Sequence, residues 1–255
     1  MREFLGFGGY SRPAEGFFSW QHLTFVTALV AVMFLLAILL GRKNRLADDR
    51  TKNKTLVAAA ISINALELFK ILILCLRSES WRPILGNLPL FLCSIQLISI
   101  PMAAFCKGSL RSAALNFVAI FGLLGAVLGT YGAGNNYSCY PVLSLDNVVS
   151  GLTHCISGFA ALYILIAGMA PLKYNQIPTT CGILLGFCGC AYGANCLLDT
   201  NYMFLVRGDG TPYDVLFNLV GGSSLWYPLC VVGLFFLYIT VFFGIHALCK
   251  KKTTV

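Results

Sequence analysis

The chain has 255 residues, 58% of them hydrophobic and only 11% charged, with a mean hydropathy of +0.78. Soluble domains sit at roughly 45–50% apolar and about 25% charged, so a water-soluble enzyme, a disordered chain and a nucleic-acid binder are all disfavoured. The net charge of +8 has another use in a membrane protein, whose basic loops hold the cytoplasmic side.

Seven apolar stretches follow in chain order: His22–Leu40, Thr55–Leu76, Leu85–Cys106, Ala113–Tyr131, Ser150–Met169, Thr179–Leu198 and Leu225–Leu248. Each is long enough to cross roughly 30 Å of hydrocarbon as a helix, the form that satisfies its own backbone polar groups in lipid. The pattern predicts an all-α membrane protein, a bundle of about seven transmembrane helices in one polytopic domain over residues 1–255. Segments rich in Pro, Gly and Asn, such as Ala133–Val149, read as loops.

Lysines and arginines orient the bundle. Arg42, Lys43, Arg45, Arg50, Lys52, Lys54, Lys107, Arg111, Lys173, Lys250, Lys251 and Lys252 fall in one set of loops. Arg2, Arg12, Arg77, Arg82 and Arg207 fall in the other, and Lys70 alone lies inside a span. Twelve against five predicts an external N-terminus and a cytoplasmic C-terminus. Met1–Trp20 lacks a charged n-region followed by an apolar core, so the first span is expected to be an uncleaved anchor. The tail Cys249–Val255 matches no prenylation box and reads as a basic stop at the membrane edge. Such a protein belongs in the plasma membrane of a bacterium, or in the endoplasmic reticulum or another endomembrane of a eukaryote.

Two glycine stripes, Gly122/Gly125/Gly129/Gly132 and Gly182/Gly186/Gly189/Gly193, read as faces for close helix packing. Most of the eleven cysteines lie within spans and behave as small hydrophobes. Cys181, Cys188 and Cys190 crowd one helix without a nearby histidine, so no metal site is expected. Asn136-Tyr137-Ser138 is a glycosylation acceptor on the external side. Neither a cofactor nor a nucleic-acid partner is expected.

Ionisable groups in lipid are costly, which makes each a functional candidate. Glu67 and Lys70 lie in the second span, His154 in the fifth, and Asp199 with Asn201 at the exit of the sixth. At the helical rise, Glu67 and Lys70 are about 14 and 9 Å, Cys93 about 12 Å and His154 about 6 Å below the outer ends of their spans. All therefore gather in the outer half of the bilayer, which points to a polar cavity open to the outer leaflet. Glu67 and Lys70 are spaced to pair along one helical face. Cys93 and His154 form a possible nucleophile and base: the imidazole takes the thiol proton and the thiolate attacks an ester carbonyl. In a bilayer the accessible esters are those of lipids, and the acyl-thioester passes to water or to another hydroxyl. Asn201, Gln96 or Lys70 is a candidate donor to the oxyanion. The alternatives are a transporter or channel lined by Glu67, Lys70 and Asp199, and a seven-helix receptor. Clustering in one leaflet argues against a conduit. The receptor lacks its signature, since Cys106-Lys107-Gly108 follows the third span.

Four segments then carry a family likeness: Glu67-Leu68-Phe69-Lys70, Leu88-Pro89-Leu90-Phe91-Leu92-Cys93, His154, and Thr200-Asn201-Tyr202-Met203-Phe204-Leu205, with Trp226-Tyr227 before the last span. In this order the pattern, from about Thr55 to Leu248, resembles the YwaF-like integral membrane proteins, microbial relatives of animal transmembrane protein 164. The resemblance implies an acyltransferase that moves an acyl chain from a diacyl phospholipid to a lyso ether phospholipid. Its cysteine and histidine correspond to Cys93 and His154, with membrane phospholipids as substrates. It also implies a fold related to hydrolases of fatty-acid esters of hydroxy fatty acids, and so a lipid-ester hydrolase as a further alternative. One position departs: many microbial members have histidine where this chain has Phe91.

Overall fold

The computed structural model describes residues 2–252, with side chains to residue 249. Residues 253–255 of the tail lie outside the described residues, as do the side chains of Lys250, Lys251 and Lys252 used in the orientation count. Every regular element among the described residues is a helix, and none of them is a strand. The chain contains α1 (Trp20–Asn44), α2 (Asp49–Ser78), α3 (Arg82–Gly86), α4 (Gln96–Phe105) and α5 (Gly108–Tyr131). Then come α6 (Gly134–Cys139), α7 (Leu145–Ile166), α8 (Ile177–Leu198), α9 (Tyr213–Leu219) and α10 (Trp226–Lys252).

Six of these, α1, α2, α5, α7, α8 and α10, are long and apolar enough to cross a membrane. Each coincides within a few residues with one of the apolar stretches read from the sequence. Their ends carry local signals. Ser19 Oγ accepts from the His22 amide at the start of α1, and Ser144 Oγ from the Asn147 amide at the start of α7. Arg42 and Lys43 occupy the last turn of α1, where cations complement exposed carbonyls.

The third apolar stretch is the exception. It was expected as one continuous helix over Leu85–Cys106, but it is broken. The five-residue α3 stops at Gly86, residues 87–95 run as turns, and the ten-residue α4 follows. Ten helical residues span about 15 Å, half of the hydrocarbon core. Pro89 has no amide to donate and pushes Leu88 out of helical geometry, so an apolar run that is long enough still fails to propagate. Irregular backbone at membrane depth is tolerated where protein surrounds it or where it lines a cavity. Cys93 sits on this break.

The chain divides into two compact units, residues 1–89 with 93–170, and residues 90–92 with 171–255. In the first, α7 packs against α1, α2 and α5, and α4 lies against α2 and α5. Its core joins Ala59, Ala60 and Ile63 of α2, Ile100 and Ala103 of α4, Ala114, Val118 and Ala119 of α5, and Ala160, Tyr163 and Ile164 of α7. Small residues at these crossings let the backbones approach. In the second unit α8 pairs with α10, and α9 packs on α10. The α8 glycine stripe does not form the close helix contact expected of it. Within its unit, no atom of the described residues lies within 4 Å of a Cβ built at Gly182, Gly186, Gly189 or Gly193. The α5 stripe, by contrast, is tightly covered.

Candidate active site

His154 lies on the third turn of α7 and is half-buried. Its Nδ1 is 2.7 Å from the Ser150 carbonyl oxygen one turn back, with Ser150 Oγ at 3.5 Å. A carbonyl only accepts, so Nδ1 carries the proton and Nε2 keeps its lone pair. The imidazole and the Cys93 thiol are near enough to interact, and Nε2 is the ring nitrogen left free to accept the thiol proton. Cys93 enters the pair from the break ahead of α4. Cys93 lies in the turn that opens α4, where the Gln96 amide bonds the Cys93 carbonyl at 3.3 Å and the Leu97 amide the Ser94 carbonyl at 2.9 Å. A thiolate at a helix start faces unpaired N–H groups and the positive end of the helix dipole.

The floor under this pair is α5. A Cβ on Gly125 would stand 3.4 Å from Cys93 Cβ, and a Cβ on Gly129 would overlap the His154 imidazole outright. The two glycines, one turn apart, thus seat the two candidate side chains. Sequence reasoning treated them as a packing stripe and missed this role. The only available signal was their register with a neighbouring break, which hydropathy does not show.

Glu67 and Lys70 form the expected ion pair, at 2.6 Å with side chains 12% and 14% exposed. Lys70 is near enough for its charge to act on His154, and Glu67 is tied to Lys70. Gln96, one turn beyond Cys93, is fully buried. Its Oε1 accepts from Ser99 Oγ at 3.0 Å, while Nε2 has no hydrogen-bond partner among the described residues. A buried donor without an acceptor costs about 1–3 kcal/mol, which makes its persistence informative.

Asp199 and Asn201 belong to the second unit. Asp199 is exposed and closes α8 in the left-handed conformation, at φ 50°. Asn201 is a loop staple. Its Nδ2 donates to the Arg207 carbonyl and to Asp209 Oδ2, each at 2.7 Å, and its Oδ1 accepts from the Val206 and Arg207 amides at 3.0 and 3.3 Å. With those bonds made, the amide has no donor left over. Phe91 sits in an aromatic cluster of the same unit, its ring centroid 5.0 Å from Tyr202 and 6.0 Å from Phe204.

Six apolar helices of spanning length define a multi-pass integral membrane protein. The TMEM164 family model matches residues 17–245, and the chain belongs to that family. The likeness drawn above from the ordered motifs therefore holds. No curated protein and no solved structure matches the chain.

Proposed function

We propose that this protein is a lipid acyltransferase, with Cys93 as nucleophile and His154 as its general base. The observation that carries the reading is the seating of Cys93 on Gly125 and of His154 on Gly129, one turn along α5, with the imidazole oriented by the Ser150 carbonyl and near enough to interact with the thiol. Transfer of the thiol proton to Nε2 gives the thiolate, which attacks the ester carbonyl of a phospholipid. The carbon–oxygen bond breaks, the departing lyso alcohol takes the proton from His154, and the acyl group stays on sulfur. A hydroxyl of a lysophospholipid or lyso ether phospholipid then attacks the thioester. Its proton goes to His154, the carbon–sulfur bond breaks, and the proton returns to the thiol.

Gln96 Nε2 is our choice for the oxyanion donor, because it is buried, one turn from Cys93 and unpartnered, whereas the Asn201 amide is spent on its own loop. Lys70, fixed by Glu67, supplies positive charge beside the reaction and suits the phosphate of a headgroup. With the loop charges oriented as above, the site serves the external leaflet. No metal or organic cofactor enters the scheme.

The test is transfer in bilayers containing a labelled diacyl phospholipid and an unlabelled lysophospholipid. Label moves to the acceptor with the native protein. Cys93→Ala abolishes transfer, and His154→Ala lowers it by about 10²–10⁴, the usual worth of a general base. Undiminished transfer by Cys93→Ala rules the covalent route out. Release of free fatty acid alone, with no labelled acceptor, identifies a hydrolase instead.

A further inference from the structure

Residues 2–18 precede the first helix yet are tied to the bundle at several points. The Leu145 amide donates to the Phe4 carbonyl at 2.9 Å, and the Val142 amide to Glu15 Oε2 at 2.7 Å. Leu5 and Phe7 pack on Ile73 of α2 and on Leu145 and Val149 of α7. Those positions lie toward the ends of α2 and α7 that face the N-terminal segment, one to three turns along the helices from Lys70 and His154. Ile73 is one turn from Lys70, and Val149 adjoins Ser150, whose carbonyl holds His154. At the helical rise, Val149 stands about 7–8 Å from His154 along α7.

The segment is wrapped around one guanidinium. Arg77 bonds both carboxylate oxygens of Asp146, Nη1 to Oδ2 at 2.8 Å and Nη2 to Oδ1 at 3.0 Å. The same Nη1 reaches the Leu5 carbonyl at 3.5 Å and Tyr10 Oη at 3.2 Å, while Tyr10 Oη donates to Asp146 Oδ2 at 2.7 Å. The rings of Tyr10 and Tyr140 flank the guanidinium at 5.9 and 6.0 Å. Gly6 makes the wrap possible, with φ at +74° and a Cβ position only 2.5 Å from Arg77 Nη1. Arg77 and Asp146 both sit on the bundle, so their ion pair persists without the segment. Tyr10 and Gly6 are what the segment itself adds.

The geometry points to a latched strap, residues 2–10, that shields the Cys93–His154 pair from water and so decides whether a bound acyl group passes to a lipid hydroxyl or is hydrolysed. The inference rests on the acyl-thioester reading for its chemical consequence, but not for the strap itself. Attack on the thioester carbonyl by water breaks the carbon–sulfur bond, restores the thiol through His154 and yields a free fatty acid. Attack by an acceptor hydroxyl breaks the same bond and yields a new ester. The two outcomes differ only in which oxygen reaches the carbonyl, and a closed strap favours the acceptor already in the bilayer.

The experiment uses the full chain in bilayers and a water-soluble maleimide. Labelled cysteines are resolved peptide by peptide, and the native protein is compared with Tyr10→Phe and Gly6→Ala. Cys93 labelling is expected to accelerate several-fold to about tenfold in both variants, in line with loss of one bond to a charged group. Cys188, buried in the second unit, stays as slow as in the native protein, which reports that the fold holds. Tyr10→Phe keeps the ring and removes only the hydroxyl, so it carries the test alone should Gly6→Ala disturb the fold. In parallel, the ratio of free fatty acid to transferred acyl chain rises in the same variants. Unchanged Cys93 labelling overturns the strap. Faster labelling with an unchanged product ratio overturns its role in partition. Faster labelling in a protein that forms no acyl product leaves the strap standing and removes the acyltransferase reading.

Discussion

At the scale of single residues, the candidate site depends on two glycines as much as on its reactive pair. Gly129 has no room for a methyl group beside the His154 imidazole, so Gly129→Ala must swing the ring off Nε2–thiol alignment or shift α5. Overpacking of this kind costs about 1–3 kcal/mol. Transfer is expected to fall about 10²-fold while thermal unfolding shifts only modestly, and full activity in this variant contradicts the seating described here. Gln96 gives a second prediction. Gln96→Leu removes a buried Nε2 donor that has no partner among the described residues, along with the bond its Oε1 accepts from Ser99 Oγ, which keeps its bond to the Ile95 carbonyl, so stability changes by no more than about 1 kcal/mol. On the proposed scheme Gln96→Leu also lowers kcat about 10²–10³-fold with little change in KM, the usual worth of an oxyanion donor. A purely structural amide behaves the other way, losing stability and keeping kcat. Cys93 and His154 could be singled out in the sequence because both fall in the outer half of their spans and a histidine is costly in lipid. Gly125 and Gly129 were not, because a glycine in a span has a ready explanation in helix packing. Tyr10 and Asp146 escaped notice because charges near span ends need no special account.

At the scale of elements, the informative feature is the interrupted third segment. Six apolar stretches became helices of spanning length, and the seventh did not. Hydropathy averaged over a whole span registers Leu85–Cys106 as continuous, and a single proline does not lower that average. Only its lack of an amide, and the geometry it imposes on Leu88, breaks the helix and brings the Cys93 sulfur to the start of α4. The loop after α8 is a second irregular element, with Asp199, Met203, Phe204 and Asp209 at φ between 50° and 55°. Such conformations persist when the surroundings over-determine them. Asn195 does so here: its Oδ1 accepts from the Tyr202 amide at 2.6 Å and from Thr200 Oγ1 at 3.1 Å, and its Nδ2 donates to the Tyr202 carbonyl at 3.0 Å. Asn195→Ala strands the buried Tyr202 groups, and a loss of about 1–3 kcal/mol is expected. Limited proteolysis of residues 199–209 then rises. An unaltered cleavage rate means that other contacts hold the loop.

At the scale of the whole molecule, composition pointed to a membrane protein and the order of the motifs to a family, and the six apolar helices and the family match over residues 17–245 bear both out. The segment before the first helix is where sequence reasoning stopped short. It carries no hydropathy signal, and its role lies in long-range bonds to Arg77, Asp146 and Leu145. Its pH behaviour follows from Tyr10, whose phenol is pushed up to about 12 by burial first and then by its bond to the Asp146 carboxylate. A group whose pKa is higher folded than unfolded stabilises the fold below the unfolded value and loses that contribution as pH climbs through the folded one. The latch is therefore intact through neutral pH and fails between the ordinary tyrosine value of about 10 and about 12. Proteolytic nicking within residues 2–10 should stay flat up to pH 10 and rise only above it. A rise near neutral pH contradicts the latch.

The central claim is a covalent acyl group on one sulfur. Incubation of the protein in bilayers with a diacyl phospholipid and no acceptor, followed by mass spectrometry of its cysteine peptides, tests it directly. The account predicts an acyl mass on Cys93 that hydroxylamine removes and that disappears when a lysophospholipid is added. Transfer that proceeds while Cys93 remains unmodified, or an acyl mass confined to other cysteines, contradicts it.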